Sequence, residues 1–169
     1  MHAEIPDLTD NQIADLLVTA SASPRRRTSR VLHSPGDEFN RVFNVMMHDS
    51  YMQPHHHPGP EKIEHIHLIH GEIVIFFFDE RGGIDSLTRL EPGGVTSVTV
   101  PAFTWHTYAI MSDHAITYET MMGVYDPRTW KTMGGWAPAE QTDEAIGYLS
   151  SLKQQAQRFN VPARPSPGR

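Results

Sequence analysis

The stretch Pro54-His55-His56-His57-Pro58, followed by Glu64 and Gly71, and then by Pro101-Ala102-Phe103-Thr104-Trp105-His106, decides the reading of this chain. Residues two apart on a strand share a face, so His55 and His57 point the same way and His56 points opposite. Glu64 opens a second strand-like segment. His65 and His67 lie on it with the other parity, so if Glu64 faces inward they face outward. His106 closes a proline-containing turn and begins a further strand, with Tyr108 on its face. Parity therefore selects His55, His57, Glu64 and His106 as one converging set. Three imidazoles and a carboxylate suit a borderline divalent metal: Fe(II), Mn, Ni, Co or Zn. In an octahedral field such a set leaves two positions for water, substrate or dioxygen. His33, His48, His65, His67 and His114 are expected to be bystanders, and His70 has no assigned role.

Around these segments the pattern is that of a β protein. Arg41 to Met47, Glu64 to His70, Glu72 to Phe78, Thr96 to Val100, Thr107 to Met111 and Ala115 to Met121 read as short strands. Turn clusters such as Asp79-Glu80-Arg81-Gly82-Gly83 punctuate them. No helical period falls between Arg41 and Met121, which argues against a parallel βαβ sheet. The expected fold is mainly all-β, an antiparallel barrel over residues 41–125 with a short helix on each side. Thr9 and Gln12 form a capping box ahead of Ile13, Leu16, Leu17 and Ala20, predicting a helix from about Asp10 to Ala20. Ile146, Leu149, Leu152, Ala156 and Phe159 lie on one stripe of a second helix within a C-terminal extension, residues 126–160. Residues 1–40 make the N-terminal helix and arm. Residues 161–169, with three prolines, are expected to be a disordered tail.

Composition bounds the function. The 169 residues suit one domain, 1–169. With 14 basic against 20 acidic residues the formal charge is -6, which leaves no electrostatic footprint for bulk nucleic-acid binding. Arg25-Arg26-Arg27 is too short for a polyanion patch and reads as an exposed or salt-bridged arm. The absence of cysteine removes disulfides, thiolate ligands and thiol nucleophiles together. The N-terminus lacks the basic and apolar regions of a signal peptide, and the apolar run Ile73 to Phe78 is too short to span a bilayer. A cytoplasmic protein is expected, with a small-molecule ligand or substrate, no nucleic-acid or membrane partner, and a homodimer as a compatible assembly.

The two-part arrangement His55-x-His57, Glu64, Gly71, then Pro101…His106 resembles the motif of the cupin superfamily, a double-stranded β-helix or jelly-roll barrel. More narrowly, the chain resembles the WbuC-type cupin-fold metalloproteins, often found with surface-polysaccharide biosynthesis genes. Ser23-Pro24-Arg25-Arg26-Arg27, His33, Arg41, Ser50-Tyr51, Glu61-Lys62-Ile63-Glu64, Phe78-Asp79, Trp105-His106-Thr107, Glu119, Gly123-Val124-Tyr125 and Trp136-Ala137-Pro138-Ala139-Glu140 carry this resemblance. It spans about Asn11 to Leu152 and implies the same four metal ligands. Phe103 stands where cupins usually have glycine, which predicts a reshaped turn. Val124 stands where the family commonly has proline, and both departures bear on the pocket mouth.

The expected function is a mononuclear metal cupin enzyme acting on a small polar or anionic molecule, sugar-derived ones included, by isomerase, epimerase or oxygenase chemistry. Arg41 and Tyr125 are the expected substrate-binding residues, with Arg41 clamping an acidic group bidentately. Tyr108 and Glu119 are the expected catalytic proton carriers. The alternative is a non-catalytic module that senses or sequesters a metal-bound small molecule.

Overall fold

The computed structural model describes residues 4–159. The tail expected to be disordered, residues 161–169, lies outside them. The chain begins with helix α1, Asp10–Ala22, started by the expected capping box: the Thr9 hydroxyl accepts from the Gln12 amide while the Gln12 side chain accepts from the Thr9 amide. Ten strands follow: β1 (Arg27–Val31), β2 (Phe39–Met47), β3 (His55–His56), β4 (Glu64–His70), β5 (Ile73–Phe78), β6 (Ile84–Leu90), β7 (Ser97–Val100), β8 (Trp105–Ile110), β9 (His114–Met122) and β10 (Thr132–Met133). Helix α2, Asp143–Arg158, closes the described chain.

The strands form two five-stranded sheets, ordered β1-β2-β9-β4-β7 and β10-β3-β8-β5-β6. Every pairing is antiparallel. The sheets face each other as the expected double-stranded β-helix. Met46, Ile66, Ile73, Ile75, Leu90, Val100, Tyr108 and Ile110 fill one end of the space between them. The two helices cover the outer faces. Ala20 of α1, with Ile13, Leu16 and Leu17, packs on Phe43, Val45, Ile116 and Tyr118. Ala145, Leu149, Leu152 and Ala156 of α2 pack on Val74, Phe76, Phe78 and Ala109. This explains the unbroken apolar run of β5: with sheet partner on one face and α2 on the other, both parities are buried.

Several elements depart from the sequence expectation. β1 and β10 extend the sheets beyond residues 41–125, and β1 is an edge strand of composition RTSRV with no apolar alternation. β6 was not expected either. On α2 the stripe is rotated: Ala145 is buried, whereas Ile146, expected on the stripe, is 72% exposed and Phe159 is exposed as well. Among the described residues no helix is long and apolar enough to cross a membrane.

Gly71 joins β4 to β5 at φ +85°, and a Cβ there would meet the His114 carbonyl oxygen at 2.3 Å. Gly93 has a similar φ of +80° in open space. Gly93→Ala therefore carries backbone strain alone, about 1 kcal/mol, whereas Gly71→Ala adds a backbone clash and is expected to cost about 3 kcal/mol. Urea denaturation of both variants measures the difference, and equal losses would contradict this account.

Candidate metal centre and cavity

His55 sits on β3 directly opposite His106 on β8. His57 follows at the end of β3, and Glu64 opens β4 from the facing sheet. All four side chains are buried. One ring nitrogen of each histidine comes together, the three lying within 4.8 Å of one another. Glu64 Oε2 stands 3.0 Å from His106 Nε2 and 3.6 Å from His57 Nε2.

The opposite side of each ring is also fixed. Nδ1 of His55 lies 3.0 Å from the Gln53 carbonyl oxygen, that of His57 2.8 Å from the Trp130 carbonyl, and that of His106 2.8 Å from the Thr104 carbonyl. A carbonyl only accepts, so each Nδ1 carries the proton and donates it. In the neutral ring, Nε2 is then left as a lone pair. Burial first, and Lys131 next, push the His55 pKa well below its ordinary value, which keeps that ring neutral. Burial works to raise the Glu64 pKa, but hydrogen bonds and charge from His106 and His57, which those rings give only with a proton on Nε2 as well, outweigh it and lower it well below its ordinary value. Lone pairs and a carboxylate converging in a buried space need a cation between them, either a proton shared with Glu64 or a metal ion. The donor set fits a divalent transition metal, and carbonyl partners behind each ring are the usual support for such ligands.

The parity assignments for the other histidines are met geometrically. His56 turns away and packs edge-on against Trp105, with ring centroids 4.3 Å apart. His65 is exposed and bonds Thr99 Oγ1 at 3.1 Å, while Ile66, sharing the Glu64 face, is fully buried. His67 lies on the outer face near Tyr118. Phe103 corrects one expectation. Phe103 accommodates the missing glycine by adopting φ +61° itself, the left-handed conformation that a glycine would take freely.

A cavity of about 430 Å³ opens beside these residues. Tyr108 and Glu119, the expected proton carriers, line it. Glu119 accepts from Asn44 Nδ2 at 2.6 Å and Thr117 Oγ1 at 2.7 Å. Burial, then the Glu64 charge, raise its pKa to about 7 against those hydrogen bonds. Burial also raises the Tyr108 pKa, with Glu119 and Glu64 adding to it. Tyr125 lies at the mouth, 53% exposed, edge-on to Trp130. Arg41 is a correction. On β2 the inner residues are Asn40, Val42 and Asn44, and Arg41 has the opposite parity. Its guanidinium reaches back to the Leu32 carbonyl at 3.4 Å, and it does not line the cavity.

The cavity cations come from elsewhere: Arg25, Arg27 and Lys131. Arg25 and Arg27 both bind Glu140, at 2.9 and 2.6 Å, and Arg27 also donates to the Tyr51 carbonyl at 2.9 Å. The basic arm is thus salt-bridged, as expected, but it forms part of the cavity wall. Trp130 and Lys131 lie in the irregular segment before β10, which carries no periodic signal.

Comparisons with known proteins agree on the fold. A family model described as a domain of unknown function (DUF6016) matches residues 8–90. No curated protein matches the chain. Among solved structures, a Shewanella oneidensis protein determined by a structural genomics consortium is similar at 11% identity and TM-score 0.52, covering 79% of this chain and 86% of its own. Oxalate decarboxylase from Lactobacillus farciminis, in complex with formate, is similar at 10% identity and TM-score 0.51, covering 80% of this chain and 37% of that one. Peruvianin-I, a cysteine peptidase from Thevetia peruviana latex, is similar at 13% identity and TM-score 0.50, covering 63% of this chain and 66% of that one. The barrel is a cupin fold. Proteins with such different activities share it, so it does not carry a reaction with it.

The Arg25–Glu140–Arg27 cluster gives a pH prediction. Burial works to raise the Glu140 pKa, but Arg27 and Arg25 outweigh it and depress it below the ordinary carboxylate value. A depressed folded-state pKa stabilises above the unfolded value and is lost as pH falls through the folded one. Glu140→Gln is expected to cost about 2 kcal/mol at pH 7, from the lost charged hydrogen bonds. That difference should shrink toward zero as the pH falls below about 4. Denaturation of both proteins across this range checks it, and a constant difference would refute the ion-pair account.

Proposed function

We propose that this chain is a single-domain, mononuclear divalent-metal cupin enzyme. His55, His57, Glu64 and His106 hold one ion of Fe(II), Mn, Ni, Co or Zn. The substrate is a small polar or anionic molecule, sugar-derived if the WbuC-type resemblance holds, and the chemistry is isomerase/epimerase or oxygenase in class. The observation that carries this reading is the set of three Nδ1 contacts to backbone carbonyls, which leave the other ring nitrogens grouped, two of them facing the buried Glu64 carboxylate. When bound, such an ion supplies Lewis acidity and open coordination positions.

The protein's own groups supply the rest. Asn44 and Thr117 donate to Glu119 and hold its carboxyl in the cavity, where it can give or take a proton. The Tyr108 hydroxyl, held protonated, serves as a donor. Trp130 and Tyr125 screen the mouth from water. A carboxyl placed beside the ligand cluster, yet outside it, favours an enzyme over a module that only binds.

The test is metal analysis of untagged protein. About one ion per chain is expected. His57→Ala and His106→Ala should lose most of it with an unchanged circular dichroism spectrum. His65→Ala and His67→Ala should keep it. Equal loss in His65→Ala and His57→Ala would overturn the assignment of ligands.

A further inference from the structure

Lys131 is the one cavity-lining cation, among the described residues, without a carboxylate partner in salt-bridge range. Arg25 and Arg27 share Glu140, whose two oxygens they occupy. The Lys131 ammonium has instead the Met52 sulfur at 3.9 Å, a weak acceptor. A half-buried ammonium facing a thioether gives up hydration for little in return. Its position is fixed. The residue before it, Trp130, holds the His57 ring through its carbonyl, and the residue after it, Thr132, pairs with His56. Lys131 is thus carried on the irregular segment between Trp130 and β10, beside the histidine cluster.

The charge balance points the same way. Three cations line the cavity, the one carboxylate Glu140 pairs with two of them and offsets one charge, and Glu64 belongs to the proposed metal-ligand set. Glu119 is the other acidic group there, and its oxygens already accept from Asn44 and Thr117. With a divalent ion in place the cavity carries a surplus of positive charge. A cavity of about 430 Å³ lies toward the small end of ligand sites.

We propose that Lys131 is the anion-binding group of this cavity, and that the ligand is a small dicarboxylate, or a dianion of like length, with one acid group at the His55–His57–Glu64–His106 cluster and the other on the Lys131 ammonium. The proposal rests on the metal-site reading and adds the substrate class to it. A lysine is a point-charge partner, so charge and reach, rather than planar bidentate geometry, set what it accepts.

The probes are succinate and its monomethyl ester, which share a chain length and differ by one carboxylate. Calorimetric titration of metal-loaded protein, with the metal content of every sample measured, should show succinate binding at least tenfold more tightly than the ester. Lys131→Met should abolish that ratio while keeping one ion per chain, and Lys131→Arg should restore most of it. A wild type that binds the two probes equally would overturn the proposal. So would a Lys131→Met protein that keeps the ratio. Loss of metal from the wild type would instead strike the metal-site reading, and a surviving Lys131-dependent preference for succinate in that protein would leave the anion site standing without it.

Discussion

The barrel is built around one electrostatic constraint: three buried imidazoles come together, with a buried carboxylate against two of them. Apolar side chains would have filled this space at far less desolvation cost. The backbone contributes the means of holding it. Carbonyls of Gln53, Thr104 and Trp130 each take one Nδ1 proton, and these acceptors come from the approach to β3, the turn before β8 and the segment before β10. A slip of any of those segments by one residue would present an amide where an acceptor is needed or turn the ring to the other face. The registers His55 opposite His106 and Glu64 opposite Val100 are therefore electrostatic requirements as well as packing ones.

A second layer ties distant parts of the chain to the first. The Arg25 and Arg27 guanidiniums, the Tyr51 carbonyl and Glu140 form one cluster, and the Tyr51 hydroxyl donates to the Pro138 carbonyl at 2.8 Å. Gln53, whose carbonyl orients His55, also donates from its amide side chain to the Gly134 carbonyl. The N-terminal arm, the entry to β3 and the segment before α2 thus brace the same corner. Their common role here is to fix the wall of the cavity.

Strand parity made the histidine cluster legible in the sequence, because side chains alternate strictly and the clustered residues sit on regular strands or their ends. The same alternation explains what was missed. β1 and the inner face of β2 present Arg27, Ser29, Asn40 and Asn44 to a polar cavity, so the apolar alternation that marks a strand is absent where the site is. Arg41 was misplaced because the outer face of β2 is also covered, by α1, and a strand buried on both faces does not announce which side holds the ligand. Lys131 and Trp130 could not be read at all. They act from an irregular segment, one of them through its backbone carbonyl, and a carbonyl has no residue type.

Phe103 shows how far the first constraint reaches. A left-handed conformation costs a side-chain-bearing residue about 1–2 kcal/mol, and the ring is mostly exposed, recovering little by burial. The conformation is held from both sides. The Phe103 amide donates to the His57 carbonyl at 3.2 Å, and the Thr104 amide donates back to Pro101. The first bond locks the turn before His106 onto the segment bearing His57. The second closes the turn and leaves the Thr104 carbonyl in place for His106 Nδ1. Relaxing Phe103 to an extended backbone would move that carbonyl and the His57 segment together. The strain persists because two histidines of the cluster, 49 residues apart in sequence, are positioned through the same turn.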